Sequence, residues 1–203
     1  MSEIRKLRRD RNAAPSELKT DGRSIFGWCM YDWANSAYVT TVVAGILPAY
    51  FAGVVVGANG IEFGGVHASA ISLWGYTTSL SSFIAFLMAP VLGAIADISR
   101  AKKQFLLAFA YGGSLFTLLL WFCGPGDVIR TLFLFLLAQI GFIGANVFYD
   151  AFLPEIAAEK EMDRVSGRGY SYGYAGGGLQ FALSLVLIAS HDRFGLTETG
   201  AAK

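Results

Sequence analysis

The sequence predicts an all-α membrane protein of five transmembrane helices, and three observations carry that reading. The chain of 203 residues is 54% hydrophobic and only 15% charged, with a mean hydropathy of +0.49, too oily for a soluble domain. Its apolar residues fall in long runs parted by short polar connectors. Its basic residues gather in alternate connectors, the bias that orients membrane helices.

Residues 1–24 read as a basic cytosolic tail, with seven Lys/Arg against four acids up to Arg23. The apolar run that follows is too long for a signal-peptide core and contains Asp32 and Asn35, so it reads as a retained first span. Spans are placed at about 25–51, 70–96, 104–122, 129–153 and 170–190, each judged against the roughly 20 apolar residues that cross a hydrocarbon core. Together they form a bundle over 25–194, followed by a polar tail over 195–203. Pro48 lies near the outer end of the first span. The second is rich in Ser and Thr, with Pro90 as an expected kink. Gly124-Pro125-Gly126-Asp127 ends the third as a turn, and Pro154 stops the fourth.

Arg100, Lys102 and Lys103 follow the second span, and Lys160, Arg164 and Arg168 precede the fifth. The connector over 53–69 has no Lys or Arg, and the third-to-fourth connector has Arg130 alone. This alternation places the amino terminus in the cytosol and the carboxyl terminus outside. Cys29 and Cys123 then lie near opposite membrane faces, as packing residues that cannot bridge.

Charge inside a span costs roughly 3 kcal/mol on insertion scales and ordinarily faces a bundle interior or water. The first span carries Asp32, Asn35 and Ser36 on one helical stripe, and the fourth carries Gln139, Asn146 and Asp150 on another. Two readings stay open for these stripes: they line a common cavity, or they bond to neighbouring helices and the wet interface. In the fifth span Gly169, Gly173 and Gly177 recur every fourth residue, a groove for close helix approach. Tyr31, Trp33, Trp74, Tyr170 and Tyr172 lie near span ends and read as interfacial belts. Gly93 and Asp97 share one face, one turn apart, just before the Arg100, Lys102 and Lys103 cluster.

These strings resemble a known family. The Gly93, Asp97 and basic-cluster arrangement resembles the loop between the second and third helices of major facilitator transporters, departing from the usual pattern at Arg100 and Ala101. The first-span run from Gly27 to Tyr38 (GWCMYDWANSAY), the run from Asn146 to Ile156 (NVFYDAFLPEI) and the run from Val165 to Tyr174 (VSGRGYSYGY) resemble one branch of that superfamily. That branch holds the vacuolar amino-acid effluxers linked to autophagy and their bacterial relatives. The resemblance implies twelve spans in two six-helix halves, with cavities lined largely by the first and fourth spans of each half. The chain then corresponds to an incomplete amino-terminal half.

The function expected is therefore the amino-terminal portion of a secondary active transporter that moves a small solute, such as an amino acid, by alternating access. Asn35, Tyr38, Gln139 and Asn146 are expected on the solute pathway as hydrogen-bonding groups. Asp32 and Asp150 are expected there as groups for a coupling proton or an inner gate. Gly93, Asp97, Arg100, Lys102 and Lys103 are expected to hold one access state through charge pairs at the cytosolic face. One helix short of a half and without a second half, the chain is expected to insert without transporting alone, its glycine groove lacking a partner helix. The alternative is a non-transporting membrane scaffold or assembly partner that uses that groove. No His/Cys/Ser constellation, metal-ligand cluster or phosphate loop points to an enzyme, a cofactor, a metal or a nucleic-acid partner. The partners expected are the bilayer, the solute and the missing helices. Short connectors favour a prokaryotic host, hence the plasma (inner) membrane.

Overall fold

A computed structural model describes residues 21–58, 60–63, 65–98 and 101–202. Five helices in it are long and apolar enough to cross a membrane: Gly22–Val56, Ala70–Ile98, Lys102–Phe122, Val128–Ile156 and Glu159–Ala189. The protein is thus an all-α, multi-pass membrane protein. Arg100 and most of the basic tail lie outside the described residues.

The first helix, α1 (Gly22–Val56), begins at Asp21, whose carboxylate accepts from the backbone N–H of Arg23 and Ser24 and from the Ser24 hydroxyl at 2.7 Å. These bonds satisfy donors that a helix start leaves open. The Ser24 hydroxyl, then the Arg23 amide, hold the Asp21 carboxyl below its ordinary range. Along Tyr38–Ile46 and Phe51–Val56 the turns widen to the π form, on either side of Pro48, which offers no N–H to the ladder. The helix ends where Gly57 donates to the Ala52 carbonyl five residues back, with φ +77 that a glycine adopts freely.

A two-stranded antiparallel hairpin, β1 (Ile61–Phe63) and β2 (Val66–Ala68), fills the connector, pairing Glu62 with His67. Next, α2 (Ala70–Ile98) runs unbroken through Pro90. Its Thr77, Thr78 and Ser82 hydroxyls donate to the Leu73, Trp74 and Thr78 carbonyls, so a polar-looking span satisfies itself internally. Helix α3 (Lys102–Leu119) tightens into a final 3-10 turn.

Helix α4 (Val128–Asp150) is the most buried element and packs against both α2 and α3. Its contact with α3 is backbone on backbone: a Cβ built on Gly141 would stand 2.5 Å from the Gly113 Cα. Phe148, fully buried, stacks on Phe105 at 5.2 Å. After two turn residues, Pro154 sits in the first turn of the short α5 (Leu153–Ile156), the place where a missing N–H costs nothing.

Helix α6 (Met162–Ala189) starts well before the expected Tyr170, because the run from Met162 is already helical at its polar end, with Arg164 paired to Glu161. It lies along α1. A short α7 (Glu198–Ala202) follows. Large apolar side chains such as Phe86 and Tyr174 stay exposed on outer faces. Lipid solvates such faces, so helix pairing here rests on close packing and polar contacts.

Two sequence expectations change. The groove of Gly169, Gly173 and Gly177 has a partner, and that partner is α1: a Cβ at Gly169 would strike the Trp28 ring, and one at Gly177 would come 2.6 Å from the Thr40 hydroxyl. Tyr31 and Trp74 make contacts between helices that a belt reading does not include. Tyr31 stacks on Tyr149 at 5.0 Å and Trp74 on Phe135 at 4.2 Å, joining helices through ring faces.

Candidate functional site

The α1 stripe turns one edge to α6 and another to α4. On the α6 side a Cβ at Gly173 would lie 2.5 Å from the Asp32 carboxylate and 2.6 Å from the Ser36 hydroxyl. On the α4 side the Asn35 Nδ2 donates to the Asn146 Oδ1 at 2.8 Å. Glycine's missing side chain lets α6 close on the polar stripe without displacing it.

Two cavities adjoin at this amide pair. One, of about 460 Å³, is lined by Asp32, Asn35, Ser36, Asn146, Tyr149 and Asp150 among others. We call it the vestibule. The second, about 360 Å³, lies farther along α1, with Tyr31, Asn35, Tyr38, Thr41, Phe142 and Gln180 on its wall. We call it the chamber. Asn35 and Phe142 line both, and the Tyr38 and Phe142 rings meet at 5.2 Å. A third cavity of about 600 Å³ shares Thr41 and Gln180 with the chamber and continues past Tyr50 and Trp121. The three follow one another along α1.

Charge and hydrogen bonding divide between them. Asp32 and Asp150 make no hydrogen bond or ion pair among the described residues, and no Lys, Arg or His lines the vestibule or the chamber. The hydroxyls of Tyr31, Tyr38, Thr41 and Tyr149 are buried without a partner among the described residues. Each such group costs about 1–3 kcal/mol when left unpaired, so a cluster of them calls for water or a solute.

Gln139 stands apart from the other expected pathway residues. It lines none of these three cavities, and its side-chain oxygen is buried without a partner among the described residues. At the basic end, Lys102 pairs with Glu155 of α5 and reaches the Ala151 carbonyl at 3.4 Å. Asp97 is exposed and makes no ion pair among the described residues, Lys103 is exposed, and Gly93 has open space about it. The acid that Lys102 holds is therefore on the far side of α4 in sequence, not the neighbouring Asp97. Sequence reasoning missed Glu155, Tyr31, Thr41 and Gln180. For Thr41 the one signal beforehand is its three-residue step from Tyr38, itself three residues from Asn35.

Comparison with known proteins settles the family. The model of the family described as "Vacuole effluxer Atg22 like" matches residues 20–200. The chain belongs to this family. An uncharacterized MFS-type transporter, YxiO of Bacillus subtilis, is 38% identical over 161 residues, covering 79% of this chain and 36% of its own length. Autophagy-related protein 22 of Pichia angusta is 23% identical, over 66% of this chain and 32% of its own. The protein of the same name from Yarrowia lipolytica is 34% identical over 48% of this chain and 17% of its own length. The chain thus spans about a third of the first two relatives. No solved structure matches it. The Atg22-like family is one of transporters of the major facilitator type, not of enzymes, and the resemblance seen in the first and fourth spans is one of descent.

Proposed function

We propose that this Atg22-like chain supplies one wall of a secondary active transporter, and that a small polar solute, with amino acids the class implied by the family resemblance, passes along α1 between α4 and α6. One observation carries the reading: the polar stripes of α1 and α4 meet at Asn35 and Asn146, and cavities rather than packed side chains flank that meeting. Asn35, Tyr38 and Asn146 contact the solute by hydrogen bonds. Gln139 acts at one remove, through the α4 packing. Asp32 and Asp150 carry the charge that couples a proton to the step. Lys102, with Lys103, Asp97, Gly93 and Arg100 about it, holds one access state, and the glycines of α6 fix α1 in place.

Alternating access needs two bodies that move against each other about a central site. The transporting assembly therefore contains further helices, from the same polypeptide or another copy. The basic ends of the helices face the cytosol, and the assembly sits in the plasma membrane of a prokaryotic host.

Proteoliposomes of the complete transporter test the reading. Asp32→Asn keeps the shape and removes the titratable charge, so it is expected to insert normally and lose proton-coupled uptake. A variant that keeps wild-type uptake with wild-type pH dependence makes Asp32 a structural residue and overturns the coupling role.

A further inference from the structure

We propose that Tyr149 is a further solute-binding residue: its hydroxyl donates to the carboxylate of an amino acid in the vestibule, while the amine of that solute turns to the α6 side, where Asp32 lies. The proposal rests on the reading of the vestibule as part of the solute pathway, with amino acids as the solute class. It adds the group that recognises the carboxylate they share.

Burial and position single out Tyr149. The residue is 7% exposed and lines the vestibule, yet its hydroxyl is buried with no hydrogen-bond partner among the described residues. A buried tyrosine ordinarily pairs that hydroxyl, as Tyr50 does with the Cys123 carbonyl at 2.9 Å. Two rings of α1 hold Tyr149 in place: Trp28 stacks on it at 4.4 Å and 7°, and Tyr31 at 5.0 Å. The Trp28 Nε1 also donates to the Tyr149 carbonyl at 3.1 Å, fixing the α4 backbone against α1 at this level. The hydroxyl is therefore positioned before any ligand arrives, and a preorganised donor loses little freedom on binding.

The surroundings decide what it binds. No Lys, Arg or His lines the vestibule, so a carboxylate there must take neutral donors. A phenol O–H is one, and hydrogen bonds to an ionised acceptor are roughly twice as strong as those between neutral groups. Asn35 and Asn146 line the same cavity. Their mutual bond uses one N–H of Asn35 and leaves amide N–H groups of both without a partner among the described residues. Asp32 lies on the other edge of the α1 stripe, toward Gly173 of α6. An amino acid laid across the vestibule thus meets a carboxylate at one end, for its ammonium group. At the other end it meets hydroxyl and amide donors, for its own carboxylate. The reversed pose would set that carboxylate against Asp32, which repulsion of like charge opposes.

Alanine and its alcohol, 2-aminopropan-1-ol, differ only at the carboxylate and test this by isothermal titration calorimetry on the complete transporter in lipid nanodiscs. The wild type is expected to bind alanine about tenfold or more tighter than the alcohol. Tyr149→Phe keeps the stacked ring and removes the hydroxyl. It should weaken alanine by about tenfold and leave the alcohol within about twofold, so that most of the preference disappears. Equal wild-type affinity for the two probes, no binding of alanine, alanine binding indifferent to Tyr149→Phe, or loss of both probes by one factor would overturn the proposal. The wild-type comparison stands even if the variant misfolds. Flux in proteoliposomes is read separately. The expected binding pattern without alanine flux would sink the transport reading alone, and alanine flux with a wild-type KM in Tyr149→Phe would sink this one alone.

Discussion

Asn35 and Asn146, one from each polar stripe and 111 residues apart in the chain, are joined by a single side-chain hydrogen bond of 2.8 Å. Inside a membrane such a bond pairs polar groups that hydrocarbon cannot serve. Its net worth is modest, because the unfolded helices also find partners in the bilayer. A double-mutant cycle of Asn35→Ala and Asn146→Ala, read by unfolding in mixed detergent micelles, is expected to give a coupling of about 0.6–1.7 kcal/mol. Strictly additive single effects would show that the two stripes are not energetically joined.

Gly173 and Gly178 belong to the same helix but face different surroundings. A Cβ at Gly173 would meet Asp32 and Ser36, whereas one at Gly178 meets nothing within 4 Å. Gly173→Ala is therefore expected to cost about 1–3 kcal/mol through overpacking. Gly178→Ala should be neutral or gain up to about 1 kcal/mol, since alanine favours helix. Detergent unfolding of the two variants decides it. Equal effects would mean that the close approach of α6 to α1 carries no weight.

Much of this architecture is legible in the chain. Long apolar runs and their breakers locate the spans, because hydrocarbon thickness fixes helix length. Helical spacing aligns Asp32 with Asn35 and Asn146 with Asp150, because the 3.6-residue repeat needs no tertiary knowledge. What spacing does not carry is the identity of a partner distant in sequence. The glycines of α6 announce a groove, but nothing in them names α1 as its occupant. Gly113 and Gly141 each look unremarkable until α3 and α4 are laid together. Lys102 lies five residues from Asp97 and pairs instead with Glu155, because the α3 start packs beside the end of α4. The Tyr31 and Thr41 hydroxyls escaped notice for the same reason: Tyr and Thr are ordinary in a span until their bonds are counted.

Orientation is open to direct measurement. The connectors rich in Lys and Arg and the connector holding β1 and β2 should lie on opposite sides of the membrane. In a background with the buried Cys29 and Cys123 replaced by alanine, a cysteine at Glu62 should react with an impermeant thiol reagent added outside intact cells. A cysteine at Asp163 should react only after permeabilisation. Labelling of the Asp163 position from outside would reverse the orientation and with it the cytosolic assignment of Lys102 and Glu155.

The ion pair at that end offers the last test. Lys102 opens α3, Glu155 lies in α5, and the pair ties the start of α3 to the segment following α4. The lysine side chain is 15% exposed and the glutamate 52%, so water screens the pair only in part. An exposed pair contributes about 0.2–1 kcal/mol, and this one belongs near the upper end of that range. Lys102→Gln is expected to lose that amount. Lys102→Glu should lose more, because two carboxylates then face each other where one salt bridge stood. The reversed pair, Lys102→Glu with Glu155→Lys, should recover most of the loss at low salt and show less difference at high salt, where screening shortens the reach of charge. Asp97→Asn serves as the comparison, since Asp97 is exposed and makes no ion pair among the described residues, and it should leave stability unchanged. Unfolding midpoints of the four variants at two ionic strengths give the answer. A reversed pair no more stable than Lys102→Glu alone would show that geometry at the lysine, not charge, holds this corner together.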